Sequence, residues 1–218
     1  MSAALDPARW ARAWSAVGAS AAPALFDEVC ARWAEPHRAY HGTSHLLACL
    51  AVFDEAVAAR AADGDGAHVR AAEVELGLWF HDAIYDPKAK GNEEASAAWA
   101  REALLTGGAE SACADRVAAL VLATKHDAVP DTPDAALLVD VDLSILGADE
   151  ATFAAYERGV RAEYAWVPDD AFREGRARIL RGFLERTTIF ATAWFVERFE
   201  ARARRNLSAS LDHLSGRA

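Results

Sequence analysis

The apolar positions fall in long stretches dominated by Ala, Leu, Arg and Glu, and β-branched alternation is scarce, so the pattern predicts helices throughout. Seven prolines, at 7, 23, 36, 87, 130, 133 and 168, punctuate those stretches where helices start or loops run. The predicted helices cover 6–17, 22–34, 43–62, 67–84, 92–106, 110–125, 133–146, 149–164, 169–186 and 188–213. Leu76-Gly77-Leu78-Trp79-Phe80 and the run from Leu137 to Leu146 are apolar nearly throughout and read as buried. The last helix carries an aromatic stripe from Trp194-Phe195 onwards, at a spacing that suits core or dimer packing.

Local chemistry marks several boundaries. Asn92 reads as an N-cap with Glu93 and Glu94 in the following turn, and Gly107-Gly108 ends that helix. Thr132-Pro133-Asp134 reads as a cap followed by a first-turn proline, and Gly147 and Asp149 separate two further helices. Ala62-Asp63-Gly64-Asp65-Gly66 reads as a plain polar turn, because the remaining oxygen ligands of a calcium loop and its terminal Glu are missing. No repeat, low-complexity tail or linker divides the chain. The expectation is an all-α fold, one helical-bundle domain over 1–218 with N- and C-terminal helical extensions.

Composition narrows the partners. A hydrophobic fraction of 53% over 218 residues is enough to bury a core and argues against disorder. Against 33 acidic residues stand 23 Lys and Arg, a net charge of −10, which disfavours a nucleic-acid polymer or an anionic membrane as partner. A small phosphate ester held through a metal stays compatible with that charge. Cys30, Cys49 and Cys113 are odd in number and show no paired spacing, as in a reducing, cytoplasmic compartment. The N-terminal MSAALDPARWARAW reads as neither signal peptide nor anchor, and no segment reaches the ~18 uninterrupted apolar residues of a membrane span.

The histidines and a few misplaced carboxylates carry the candidate chemistry. His41 and His45 are four apart, which brings two imidazoles near each other if the segment opens a helix. His81-Asp82 ends the apolar run of 76–80, where a buried imidazole and carboxylate need either each other or a shared cation. Asp140 and Asp142 interrupt the run of 137–146 at i and i+2, so they face different directions. Lys125-His126 closes the helix before them.

The order of these features, a His, then a His-Asp doublet, then a distant Asp, resembles the HD metal-dependent phosphohydrolase superfamily. More closely, the chain is similar to a bacterial family of predicted metal-dependent HD phosphohydrolases. The matching motifs are YHGTSH at 40–45, WFHDAIYDP at 79–87, GNEEASA at 91–97, ATKH at 123–126, LLVDVDLSILG at 137–147 and VRAEYAWVPDDAFREGR at 160–176.

That resemblance implies a metal held by His45, His81, Asp82 and Asp142, with mixed N and O ligation that suits Mn, Fe, Co, Ni, Zn or Mg rather than calcium. It implies hydrolysis of a small phosphorylated substrate, a nucleotide or phosphomonoester, by a metal-activated water that Asp82 also helps to orient. A more distant likeness to the cyclic nucleotide phosphodiesterases casts His41 as general acid, although Gly42 stands where those enzymes carry Asn. Asp142 precedes Leu-Ser as their ligand does, which leaves Asp140 to orient a ligand imidazole. Glu93 and His126 are candidates for a second metal or for the substrate, and Asn92, Lys125, Arg161 and Tyr164 for phosphate or leaving-group contacts. The same scaffold hosts diiron oxygenases and idle nucleotide-binding sensors, so both remain alternatives, as do monomer and homodimer.

Overall fold

The computed structural model describes residues 4–62 and 69–216, and the turn expected at 63–66 lies outside them. Every regular element among the described residues is a helix, so the fold is all-α. The chain forms two compact units, one ending at Asp142 and one beginning at Leu143.

The first unit contains α1 (Pro7–Ala16), α2 (Pro23–Trp33), α3 (Thr43–Ala62), α4 (Ala71–Phe80), α5 (Asn92–Thr106) and α6 (Ser111–Ala123), and it ends within α7 (Pro133–Leu143). Side-chain caps start two of these helices, the Thr132 cap as the sequence expects. Asp6 accepts from the Ala8 N–H at 2.8 Å, and Thr132 Oγ1 from the Ala135 N–H at 3.1 Å. Helix α4 packs against α1, α3, α5 and α6, which accounts for its being apolar on every face. Its Val74, Leu76, Leu78, Trp79 and Phe80 are fully buried.

Gly77 lets this central helix sit close to its neighbours. A Cβ there would stand 2.5 Å from Leu138 Cδ1 on α7 and 3.3 Å from Leu120 Cβ on α6. Leu138 is itself fully buried and has nowhere to retreat. Gly77→Ala is therefore expected to destabilise the protein by about 1–3 kcal/mol, despite alanine's better helix propensity. Urea denaturation measures it, and an unchanged midpoint would show that the core yields there.

Several boundaries differ from the sequence expectation, two of them beside the site. The helix expected over 67–84 stops at Phe80, because His81 Nδ1–H turns back to the Leu78 carbonyl at 2.8 Å. The carbonyls of Asp82 and Ala83 are taken by the Arg38 guanidinium instead of by helix N–H groups. Asn92 is not the N-cap of α5. Gly91 takes that place with φ +83°, a left-handed conformation that glycine adopts without strain. The Asn92 amide is spent on Asp86, accepting its N–H at 3.2 Å and donating to its carbonyl at 3.0 Å.

The second unit opens with a 3₁₀ turn at Ser144–Gly147, followed by α8 (Glu150–Glu163) and α9 (Asp169–Leu184). Asp149 caps α8 by accepting from the Thr152 N–H at 3.0 Å. Helix α10 runs through Ala193–Phe195, a π turn at Val196–Glu200 and Ala201–Leu214. It starts five residues later than the expected 188, and the Glu200 carboxylate accepts the N–H groups of Ile189 and Phe190 in the segment before it. The aromatic stripe packs inside this unit, with Phe195 ring centroids 4.7 Å from Trp194 and 5.4 Å from Phe199. No helix among the described residues is long and apolar enough to cross a membrane.

Candidate metal centre

Four helices of the first unit deliver side chains to one point. His45 stands on the first turn of α3, and Cys49 one turn further along the same face. His81 follows the last residue of α4, and Asp82 lies in the turn after it. His126 comes three residues after α6, and Asp142 sits on the last turn of α7.

The donor atoms are close. His45 Nε2 lies 3.2 Å from His81 Nε2 and 3.1 Å from Asp142 Oδ1. His81 Nε2 is 3.4 Å from Asp82 Oδ2 and 3.6 Å from Asp142 Oδ1. The other Asp142 oxygen meets His126 Nε2 at 3.0 Å. His126 makes that contact from φ +58°, a left-handed conformation that costs a non-glycine residue about 1–3 kcal/mol. The imidazoles of His45 and His81 are buried at 3% and 1% exposure, whereas Asp82 and Asp142 each keep 15%, so the cluster opens to solvent on its carboxylate side.

The electrostatics are those of a site with too many acceptors. Burial favours a neutral His81, but Asp82 and Asp142 outweigh it and push its pKa up to about 9. For His45, burial wins over the same carboxylates and lowers the pKa, so this ring stays neutral. Burial also disfavours a charged Asp142, yet hydrogen bonds from His126, His45 and His81 hold its carboxyl well below the usual range. The Cys49 thiol is pushed up, first by burial and then by the two carboxylates.

These residues fit a metal ion. His45, Cys49, His81 and Asp142 offer donor atoms that all lie within 4.8 Å of one another. Atoms bound about 2.0–2.3 Å from one cation stand about 3–3.6 Å apart, which is the range found among His45, His81 and Asp142, whereas Asp82 comes within 3.4 Å of His81 but stays 4.0 Å from His45 and lies outside the converging group. The Leu78 carbonyl holds His81 by Nδ1, so its Nε2 is the nitrogen turned to the cluster, an arrangement common to metal-ligating histidines.

The other residues singled out from the sequence are placed as follows. His41, in the turn before α3, has its ring centroid 6.0 Å from that of His45, 4.8 Å from Tyr40 and 4.5 Å from Tyr85. Asp140 is wholly buried on α7. Lys125 pairs with Glu94 at 2.6 Å, and Glu93 is close enough to act on it electrostatically. Arg161 donates to the carbonyls of Tyr164 and Val167 and to Asp169, and it stacks on Phe172, all within the second unit. Cys49 is the residue the sequence reading passed over, its one trace being the i+4 spacing from His45.

No family model, no curated protein and no solved structure matches this chain.

Proposed function

We propose that the protein is a metal-dependent phosphohydrolase of the HD type, acting in the cytoplasm on a small phosphate ester such as a nucleotide or another phosphomonoester. The observation that carries this reading is the meeting of His45, His81, Asp82 and Asp142 at one point, in the chain order of the motifs on which the resemblance rests. A divalent cation of the Mn, Fe, Co, Ni, Zn or Mg group would supply a Lewis acid for a phosphoryl oxygen and activate water at neutral pH.

The chain's own groups supply the rest. His45, Asp142 and Asp82 would complete the ligand set around the fixed His81, with Asp82 the most distant of them at 4.0 Å from His45. Asp82, the more loosely held carboxylate on the open side, takes up the proton of the attacking water. His41, beside His45 and half-exposed, donates a proton to the leaving oxygen. A cation held here would invert the local field, so the net charge of −10 would not keep an anionic substrate from this point. Three free thiols accord with a reducing compartment.

The test is elemental analysis of metal-loaded protein beside His81→Ala and Asp142→Ala, followed by phosphate release across a panel of nucleotides and monoesters. Near-stoichiometric metal in the parent, its loss in both variants, and metal-dependent release are expected. A parent that holds no metal, or releases phosphate from nothing in the panel, overturns the proposal. A second reading, a dinuclear iron oxygenase, draws on His126 facing the Asp142 oxygen that His45 does not contact. Two irons per chain with oxygen uptake would favour it.

A further inference from the structure

We infer that Arg38 is a positioning residue for the metal centre, fixing the turn that carries His41 against the turn that carries His81-Asp82. This rests on the metal-binding reading above and adds to it a residue outside the ligand set.

The Arg38 side chain is fully buried. Its Nη1 donates to two carbonyls far apart in sequence, that of His41 at 2.9 Å and that of Asp82 at 2.6 Å. Nη2 donates to the Ala83 carbonyl at 3.1 Å, and Nε to Glu35 Oε2 at 3.1 Å. One planar fork therefore holds the backbone on both sides of the site. The guanidinium also lies over the rings of Trp33 and Tyr85, 5.5 and 5.4 Å from their centroids. Both rings belong to the site's wall. Trp33 stands 5.2 Å from the His81 ring and donates its indole N–H to the Trp79 carbonyl at 3.0 Å, while Tyr85 stands 4.5 Å from His41.

Burying a cation is costly, and an arginine needed only to stabilise a fold is often replaceable by apolar side chains. Here the charge meets three main-chain carbonyls, and two of them belong to Asp82 and Ala83, where α4 stops short of its apolar pattern. The guanidinium thus supplies donors to carbonyls beyond the end of α4 and fixes the backbone on which Asp82 stands. Lysine keeps the charge but has one nitrogen, which cannot serve the His41, Asp82 and Ala83 carbonyls and Glu35 together as the guanidinium fork does.

The experiment is cobalt(II) titration of the whole metal-free chain and of Arg38→Lys, Arg38→Gln and Glu35→Gln, read by the visible absorption of the bound ion, with circular dichroism and melting temperature alongside. Both Arg38 variants are expected to bind cobalt about 10–100-fold more weakly, with a changed band shape that reports altered ligand geometry. Glu35→Gln keeps an acceptor for Nε and touches neither carbonyl, so it is expected to lower the melting temperature and leave the band unchanged. A parent-like band and affinity in a folded Arg38 variant overturns the inference. So does failure of both Arg38 variants to fold, which assigns the residue to the fold alone. Failure of the metal reading itself is seen separately, as absence of cobalt binding by the parent chain.

Discussion

Asparagine at position 142 is expected to abolish the proposed metal binding and to lower the stability of the metal-free protein by about 3–5 kcal/mol. Asp142 is the one carboxylate that all three site imidazoles address, with His126 on one oxygen and His45 and His81 on the other. Its depressed pKa expresses how strongly the native state prefers it ionised. Asparagine keeps the shape, loses the charge, and replaces one acceptor with an NH₂ that faces imidazole nitrogens. His81, protonated at neutral pH with a pKa of about 9, then loses one of the two carboxylates that raise it and keeps Asp82 at 3.4 Å. A buried charge deprived of a partner is the expensive case. Denaturant unfolding of chelator-treated protein measures the loss, and elemental analysis measures the metal. Asp140→Asn is the matched control two residues away, expected to retain the metal. Retention of metal by Asp142→Asn, with its loss from Asp140→Asn, would reverse the assignment of the two aspartates.

The parts legible in the sequence are those where a residue type breaks a pattern. His45, His81-Asp82 and Asp142 could be read because polar groups interrupt apolar helices, and such interruptions need partners. Cys49 could not, since a cysteine within an apolar helix looks like any small core residue. Arg38 left no trace either: its partners are main-chain carbonyls, which every residue possesses. The same physics explains the misplaced boundaries. The expected helices run past the observed ends through 81–84 and 188–192, where Arg38 binds carbonyls and Glu200 binds N–H groups of segments that are not helical, contacts from residues distant in sequence. Asn92 showed a related ambiguity, for a good capping residue beside a glycine loses the cap when the glycine adopts the left-handed conformation. Among the proposed substrate contacts, Asn92, Lys125 and Arg161 are each held by protein groups, and sequence alone does not tell a committed polar side chain from a waiting one.

Metal-free protein is expected to lose stability in alkali, whereas saturation with metal is expected to remove that loss, because metal-bound His81 and unfolded His81 are unprotonated alike above about pH 6.5. In the metal-free chain the native state raises the pKa of His81 from the ordinary 6.5 to about 9. The native state therefore holds that proton more tightly than the unfolded chain does. The stabilisation is complete below about pH 6.5 and is lost as pH rises through about 9, an effect on the order of 3 kcal/mol. His45 acts on the acid side. Burial lowers its pKa, so below about pH 6.5 the unfolded chain takes up a proton that the native ring resists, and stability falls there too. Asp142, with its pKa depressed, stabilises above the ordinary carboxylate range and gives way as pH falls through its native value. Together these put the maximum for the site near neutrality. A metal ion needs the same His81 nitrogen without its proton, so binding releases that proton, and affinity rises about tenfold per pH unit up to about pH 9. Urea unfolding across about pH 6–9.5, with chelator or with excess metal, separates the two trends. Replacing His81 by Gln should flatten the alkaline arm of the metal-free curve, and a parent protein equally stable at both ends of that range would refute the charge assignment.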